Sequence, residues 1–305
     1  MTTTLAPLPA IRIQPIIELV TNAVTSPHTQ RAYGRALDDF ITWYQTAGAP
    51  GLSKATVQAH ISYLRTAGVP ASSINQRLSA IRKFAQEAAD NGLIDEVTAQ
   101  AIRRVEGVRS EGRRLGNWLS QRQAQALISA PDISTRKGLR DRALLAVLLG
   151  CGLRRAEVAA LHLQHIQQRE SRWVIVDLVG KRNRRRSVPM PSWAKAALDA
   201  WCIAAGITAG PLFLAMRRGD HVQRHAMTAQ AIRDVVAAYA AAQDVTVAPH
   251  DLRRTFAKLA HKGGSPVDQI QLSLGHSSMQ TTERYLGVEQ NLSTAPCDQL
   301  GLSLG

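Results

Sequence analysis

Two arginine-bearing segments, a few isolated histidines and one late tyrosine are the residues of this sequence best placed to do chemistry. Gly150-Cys151-Gly152 ends an apolar run, and Arg154 and Arg155 follow at the expected start of a helix. His250-Asp251-Leu252-Arg253-Arg254 repeats the arrangement further along. A helix N-terminus carries partial positive charge, so cations there are locally unfavourable unless an anion sits in front of them. Either site alone reads more simply as arginines reaching for solvent. Two such starts in one chain point to a phosphate. His250 and Arg253, three apart, face the same way on a helix, while Leu252, Phe256, Leu259 and Ala260 form its apolar stripe. Ser265-Pro266 opens the next helix and Gly275 stops it, which leaves His276 just past a helix end. Tyr285 stands about two turns into a further short helix, a position where a tyrosine is core packing in most proteins.

Other chemistries have less support. A dinucleotide turn would need glycine where Arg155 stands, and no βαβ pattern surrounds it. His162 and His165 lie three apart on an expected helix from Arg155 to His162 and just beyond, without neighbouring Cys or Glu ligands, so they read as surface residues. HExxH, P-loop and clustered-carboxylate patterns are missing from the sequence. Three cysteines, Cys151, Cys202 and Cys297, are too few and too widely spaced for a disulfide framework or a Cys-based zinc site, which suggests a reducing cytoplasm.

The elements that must position these groups fill 305 residues, enough for two domains. Residues 1–15 read as a flexible leader without the features of a secretory signal. From 16 to 102 the apolar spacing is helical throughout: Tyr33, Leu37, Phe40, Ile41 and Tyr44 share one stripe, and Ile74, Leu78, Ile81, Phe84 and Ala88 another. Residues 103–117 hold five arginines and three glycines and read as an exposed connector. Residues 118–290 form the second domain and 291–305 a tail. Within the second domain one stretch is strand-like, Arg172 to Val179, followed by a basic turn and Ser187-Val188-Pro189, which predicts a small antiparallel sheet. Everything after it reads as helical. The expected fold is therefore mainly α: a helical N-terminal domain, then a mixed α/β domain with a small antiparallel sheet.

The net charge is +14, most of the excess lying beyond residue 116, and it predicts a polyanionic partner. The longest apolar run, Ala143 to Leu153, is too short to cross a membrane and reads as a buried helix.

Three segments, CGLRRAEV, PHDLRRTFA and LGHSSMQTTERYL, together resemble the signatures of the tyrosine recombinases, or phage integrase family: roughly TGLRxxEL, HxLRxTxA and LGHxxxxxTxxYL. GKRNRRRSVP is similar to the family's GKGxKxRxVP hairpin, and the helical first part resembles its core-binding domain, so the likeness runs from about 16 to 287. It implies that Arg154, Lys181, His250, Arg253 and His276 surround one scissile phosphate and that Tyr285 attacks it. Arginines suit the cationic task because a guanidinium is permanently charged and forks onto two oxygens. A phenol must lose its proton to attack, and His250 is the candidate acceptor; Lys181 would protonate the leaving 5′ oxygen, and His276 would hydrogen-bond a phosphate oxygen. Glu157 matches an acidic position and reads as an orienter of arginine. The hairpin departs from the pattern, with Arg182 for the second glycine and Arg184 or Arg185 for the later lysine.

The resemblance further implies site-specific recombination through a 3′-phosphotyrosyl intermediate and a Holliday junction, with no metal, ATP or other cofactor. The partners expected are duplex DNA carrying a specific site and a tetramer assembled on two such sites, with room for a second recombinase or accessory proteins. Arg103, Arg104, Arg113, Arg114, Arg182, Arg184 and Arg185 are the expected DNA contacts. The short leader favours a simple, Xer-like type, cytoplasmic and nucleoid-associated; the resemblance suggests that the tail docks on a neighbouring subunit, while Gly301 and Gly305 favour a frayed end. The rival readings are a DNA-binding regulator of the same fold without catalysis and a type IB topoisomerase.

Overall fold

In the computed structural model, which describes residues 10–48, 51–109, 117–179, 185–276 and 278–286, five helices build the first part of the chain. They are α1 (Ala10–Asn22), α2 (Pro27–Thr46), α3 (Lys54–Thr66), α4 (Ala71–Asp90) and α5 (Glu96–Arg103). Serines begin α2 and α3: the Oγ atoms of Ser26 and Ser53 accept from the backbone N–H three residues on, satisfying donors that a helix start leaves free. Helix α4 buries Ile74, Leu78, Ile81, Phe84 and Ala88 on one stripe and packs against α1, α2, α3 and α5. The expected stripe of α2 is also buried through Leu37, Phe40, Ile41 and Tyr44, while Tyr33 is only partly covered.

Two expectations at the ends of this unit need correcting. Helix α1 starts at Ala10, inside the expected leader, and Ile13 is buried in the core. Val105 is likewise buried, although it falls in the stretch read as an exposed connector. Asn75 clamps that stretch by donating to the Val108 carbonyl at 3.0 Å and accepting its N–H at 2.8 Å. The arginines and glycines around Val105 and Val108 masked two apolar anchors. By compactness the chain divides into Met1–Arg113 and Arg114–Gly305.

The second unit begins with α6 (Gln121–Ser129) and α7 (Arg136–Cys151). Helix α7 is buried on nearly every side from Ala143 to Leu149, so its apolar run belongs to the core. After the five-residue α8 (Arg155–Ala159) come strands β1 (Ile166–Arg169), β2 (Arg172–Val179) and β3 (Arg185–Pro189), which form an antiparallel sheet in the order β1-β2-β3. The expected strand at 172–179 is its centre. The helix expected from Arg155 to His162 stops at Ala159: His162 is extended, bridges Pro211, and leads into a 3₁₀ turn.

Helix α9 (Ser192–Ala205) packs along α7, its fully buried Trp201 donating Nε1–H to the Leu212 carbonyl at 2.7 Å. A hairpin of β4 (Leu214–Arg217) and β5 (His221–Ala226) then interrupts what was expected to be wholly helical. Neither strand is fully buried, so its alternation is weak, and the signal lay in its turn, where Gly219 and Asp220 both adopt positive φ. The Asp220 carboxylate accepts from the N–H groups of Arg136 and Lys137, both at 2.7 Å, and so caps α7. The chain ends its described part with α10 (Ala229–Ala241), α11 (Pro249–Lys262), α12 (Val267–Leu274) and α13 (Met279–Leu286). Proline 266, rather than Ser265, takes the cap position of α12.

Gly152 turns the chain between α7 and α8 at φ +59°, and a Cβ there would lie 2.5 Å from the Phe256 ring of α11. Gly152→Ala is therefore expected to destabilise the second unit by about 1–3 kcal/mol, through left-handed strain plus a clash with an aromatic ring. Denaturant unfolding monitored by tryptophan fluorescence would measure it, and a midpoint equal to wild type would show the corner can relax.

Candidate active site

Every element end around α11 presents a polar group to one place. Arg154 is the cap residue of α8, His250 and Arg253 lie in the first turns of α11, His276 follows α12, and Tyr285 closes α13. Both donor-loaded helix starts carry an acidic residue that the positive end of the helix accommodates. Glu157 accepts the Arg154 N–H at 2.8 Å, and Asp251 accepts the Ala248 N–H at 2.9 Å.

Glu157 is buried and receives two guanidinium groups. Arg154 Nη1 donates to its Oε1 at 2.8 Å, while Arg186 of β3 forks onto both oxygens, Nη1 to Oε1 at 2.8 Å and Nη2 to Oε2 at 2.9 Å. Burial pushes this carboxyl upward, but the hydrogen bonds from Arg186 and the Arg154 backbone and the Arg186 charge outweigh it, holding the group down at about 2. Arg186 is aimed there by a register shift in β2, where Asp177 takes positive φ and Leu178 pairs with Arg186. Its Nε donates to the Ser273 carbonyl at 3.0 Å, and Gly275 leaves it room: a Cβ there would come within 2.8 Å of its Cδ.

Arg253 is 1% exposed. Its Nη1 donates to the Gly152 carbonyl at 2.6 Å and its Nη2 to the Leu274 carbonyl, so one side chain ties the α7–α8 corner to the end of α12. Its Nε has no partner among the described residues. Burial and the nearby charge of Arg154 lower this guanidinium to about 10.

Tyr285 is largely buried, and its hydroxyl donates to the His250 carbonyl at 3.1 Å while lying 3.4 Å from His250 Nε2. The rings of His250 and His276 meet the phenol at steep angles, with centroids 5.5 and 5.2 Å away. His276 Nδ1 is 3.0 Å from the Thr282 hydroxyl, which fixes the imidazole's orientation. Burial raises the phenol above its ordinary value, against the lowering charges of Arg253 and Arg254. Although His250 shows much of its surface to solvent, desolvation of its ring, with the charges of Arg253 and Arg254, lowers it. His276 falls to about 4 for the same first reason, helped by Arg253 and Arg154. Both imidazoles are thus neutral near pH 7 and able to accept a proton.

Of the five residues expected to surround a phosphate and the tyrosine expected to attack it, five are therefore placed together: Arg154, His250, Arg253, His276 and Tyr285. Lys181 lies outside the described residues, as do Arg113, Arg114, Arg182 and Arg184. Arg155 is exposed beyond the cluster. Of the other expected DNA contacts, Arg185 is exposed and 3.5 Å from Asp177. Arg103 and Arg104 are exposed at the end of α5, and Arg104 lines a hollow of about 660 Å³ with Lys54, Arg65 and Arg109. Sequence reasoning passed over Arg186 and Arg254. The signal for Arg186 was its place two residues before Val188-Pro189. Arg254, whose Cζ stands 5.0 Å from the Tyr285 ring centroid, gave none beyond adjacency to Arg253. No group of three or more metal-ligating side chains occurs among the described residues, and no described helix is long and apolar enough to cross a membrane.

A helical unit followed by a unit that gathers guanidinium, imidazole and phenol groups defines a class as much as a site, and comparison with known proteins agrees. Residues 117–291 match the phage integrase family, and residues 16–92 match the phage integrase N-terminal SAM-like domain. The chain is 29% identical over 266 residues to tyrosine recombinase XerD of Pseudomonas aeruginosa, covering 85% of this chain and 86% of that one. It is 31% identical over 279 residues to tyrosine recombinase XerC of Pelobacter propionicus, covering 89% and 88%. In fold it is similar to the XerH site-specific recombinase bound to palindromic difH substrate, with TM-score 0.70 and 14% identity, covering 94% of this chain and 96% of that one. The chain belongs to the phage integrase family, the tyrosine recombinases, enzymes that break and rejoin DNA.

The Glu157 carboxyl titrates lower in the folded chain than its ordinary 4.5, so its contribution to stability is complete above pH 4.5 and is lost as pH falls toward 2. The full contribution is about 3 kcal/mol. Wild-type protein should lose more stability between these limits than Glu157→Gln does, measured by urea unfolding at a series of pH values. Parallel losses in the two proteins would show that the bridge is not coupled to folding.

Proposed function

We propose that this chain is a site-specific recombinase that cleaves one DNA strand by attack of Tyr285 and rejoins it to another. The observation that carries this reading is the phenol oxygen held 3.4 Å from His250 Nε2, inside a ring of arginines and a second neutral imidazole. Arg154 and Arg253 would neutralise the scissile phosphate, and His276 would donate to one of its oxygens. The Tyr285 hydroxyl hands its proton to His250, its oxygen bonds to phosphorus, and the bond to the 5′ oxygen breaks. Lys181 supplies the proton that this leaving oxygen takes up.

One phosphodiester is exchanged for another in that step, so the bond energy stays in the 3′-phosphotyrosyl link and no ATP is consumed. A 5′ hydroxyl from the partner duplex then reverses the chemistry. Two rounds of exchange pass through a Holliday junction, which needs four protomers on two sites. The hydroxyl's present bond to the His250 carbonyl, which cannot accept a proton, is exchanged for one to Nε2 by rotation of the O–H alone.

Arg103, Arg104 and Arg185, all exposed, join Arg113, Arg114, Arg182 and Arg184 as the proposed DNA contacts. Most would position the duplex on its phosphates, and few would read bases. A tail beyond residue 290 that docks on a neighbouring subunit belongs to the same scheme.

The test begins by selecting a duplex from a randomised library with the Tyr285→Phe protein, then nicking it so that the cleaved strand cannot religate. Wild-type chain should become covalently attached to the 3′ end, and Tyr285→Phe should bind the same duplex without attachment. Binding by wild type with no trapped product would favour the regulator reading instead.

A further inference from the structure

Among the arginines of the site, Arg254 is the one whose charge has no evident task. Arg154 and Arg186 are committed to Glu157, and Arg253 to two carbonyl oxygens. Arg254 makes no hydrogen bond or ion pair with any described residue, and its Nε and Nη1 are buried without a partner. Donors withdrawn from water and left unpaired are costly, so a compensating contact is required. The contact present is aromatic: the guanidinium lies over the Tyr285 ring, its Cζ 5.0 Å from the centroid. At that distance a desolvated cation is attracted by the ring's negative face.

We propose that Arg254 is a positioning residue for Tyr285, holding the phenol ring against His250 and His276 and favouring its ionised form. The inference rests on Tyr285 being the nucleophile. It adds a residue at the place the family pattern HxLRxTxA leaves open. Two imidazoles bound the ring at steep angles, and Arg254 lies over its face, so the phenol has few ways to swing. The charged groups that face it are Arg253, Arg254 and Asp251 from α11 and Arg154 from the cap of α8, beside the neutral rings of His250 and His276. Asp251 opposes ionisation but its carboxylate is engaged at the Ala248 N–H. Burial makes the phenol reluctant to ionise, and a guanidinium over the ring offsets part of that reluctance as charge gathers on the oxygen.

The experiment follows covalent trapping in single turnover, with the nicked selected duplex at saturating concentration, from about pH 6 to about pH 10. Arg254→Met should slow trapping roughly ten-fold near neutral pH and move the alkaline half-maximum upward by about one unit. Duplex affinity and melting temperature should stay close to wild type. Arg254→Lys, which keeps the charge but not the planar guanidinium, should recover part of the pH shift and less of the rate. If the methionine variant does not fold, Arg254→Gln is judged by the same criteria. An unchanged rate and pH profile would overturn the proposal. So would a loss confined to duplex affinity, with the saturated trapping rate unchanged, which would make Arg254 a DNA contact. Wild type that fails to trap, or Tyr285→Phe that traps, would instead remove the nucleophile on which this inference stands.

Discussion

A single buried carboxylate allows this site to exist. Glu157 sits where Arg154, Arg186 and Arg253 come within range of one another, and like charges packed that closely repel unless something of opposite sign lies among them. Its two oxygens accept from two side chains and one backbone N–H, so little acceptor capacity is left for anything else. Breaking such a pair by removing one partner is costly because the others remain buried and charged. The bridge also joins a helix cap to a strand, and thereby fixes the distance between the α7–α8 corner and the sheet.

The same corner is fixed a second time by Arg253. Its guanidinium reaches the carbonyls at the ends of two helices, and each helix end is shaped by a glycine in the left-handed region, Gly152 at φ +59° and Gly275 at φ +61°. Helix ends leave carbonyl groups without partners, and an arginine between two such ends satisfies both. The Nε of Arg253 is buried and keeps no partner among the described residues, so the side chain's bonds all go to these two helix ends.

Much of this was legible because helix ends announce themselves. Glycines at 152 and 275 and the proline at 266 are local signals, and so the placement of Arg154, His250, Arg253 and His276 at element ends could be read directly. The long apolar run of α7 and the β-branched stretch of β2 were equally plain. What escaped was set by tertiary contact. Val105 and Val108 are two apolar residues in a polar run, and only Asn75, distant in sequence, shows that they are anchored. The β4–β5 hairpin is half-buried on both strands, so the alternation that marks a strand never develops. Arg186 and Arg254 looked like members of basic runs, where spacing carries no information about which guanidinium turns inward.

The protonation states at the site follow from opposed effects of one environment. Withdrawal from water disfavours charge on every group, which raises the phenol of Tyr285 and lowers the imidazoles of His250 and His276. Transfer of a proton from phenol to imidazole would create two charges where there were none. The surrounding arginines help only one of them, because a cation favours phenolate and disfavours imidazolium. In this site the tyrosine is therefore held neutral, and the arginines around it lower the cost of ionising the phenol while raising that of protonating either imidazole.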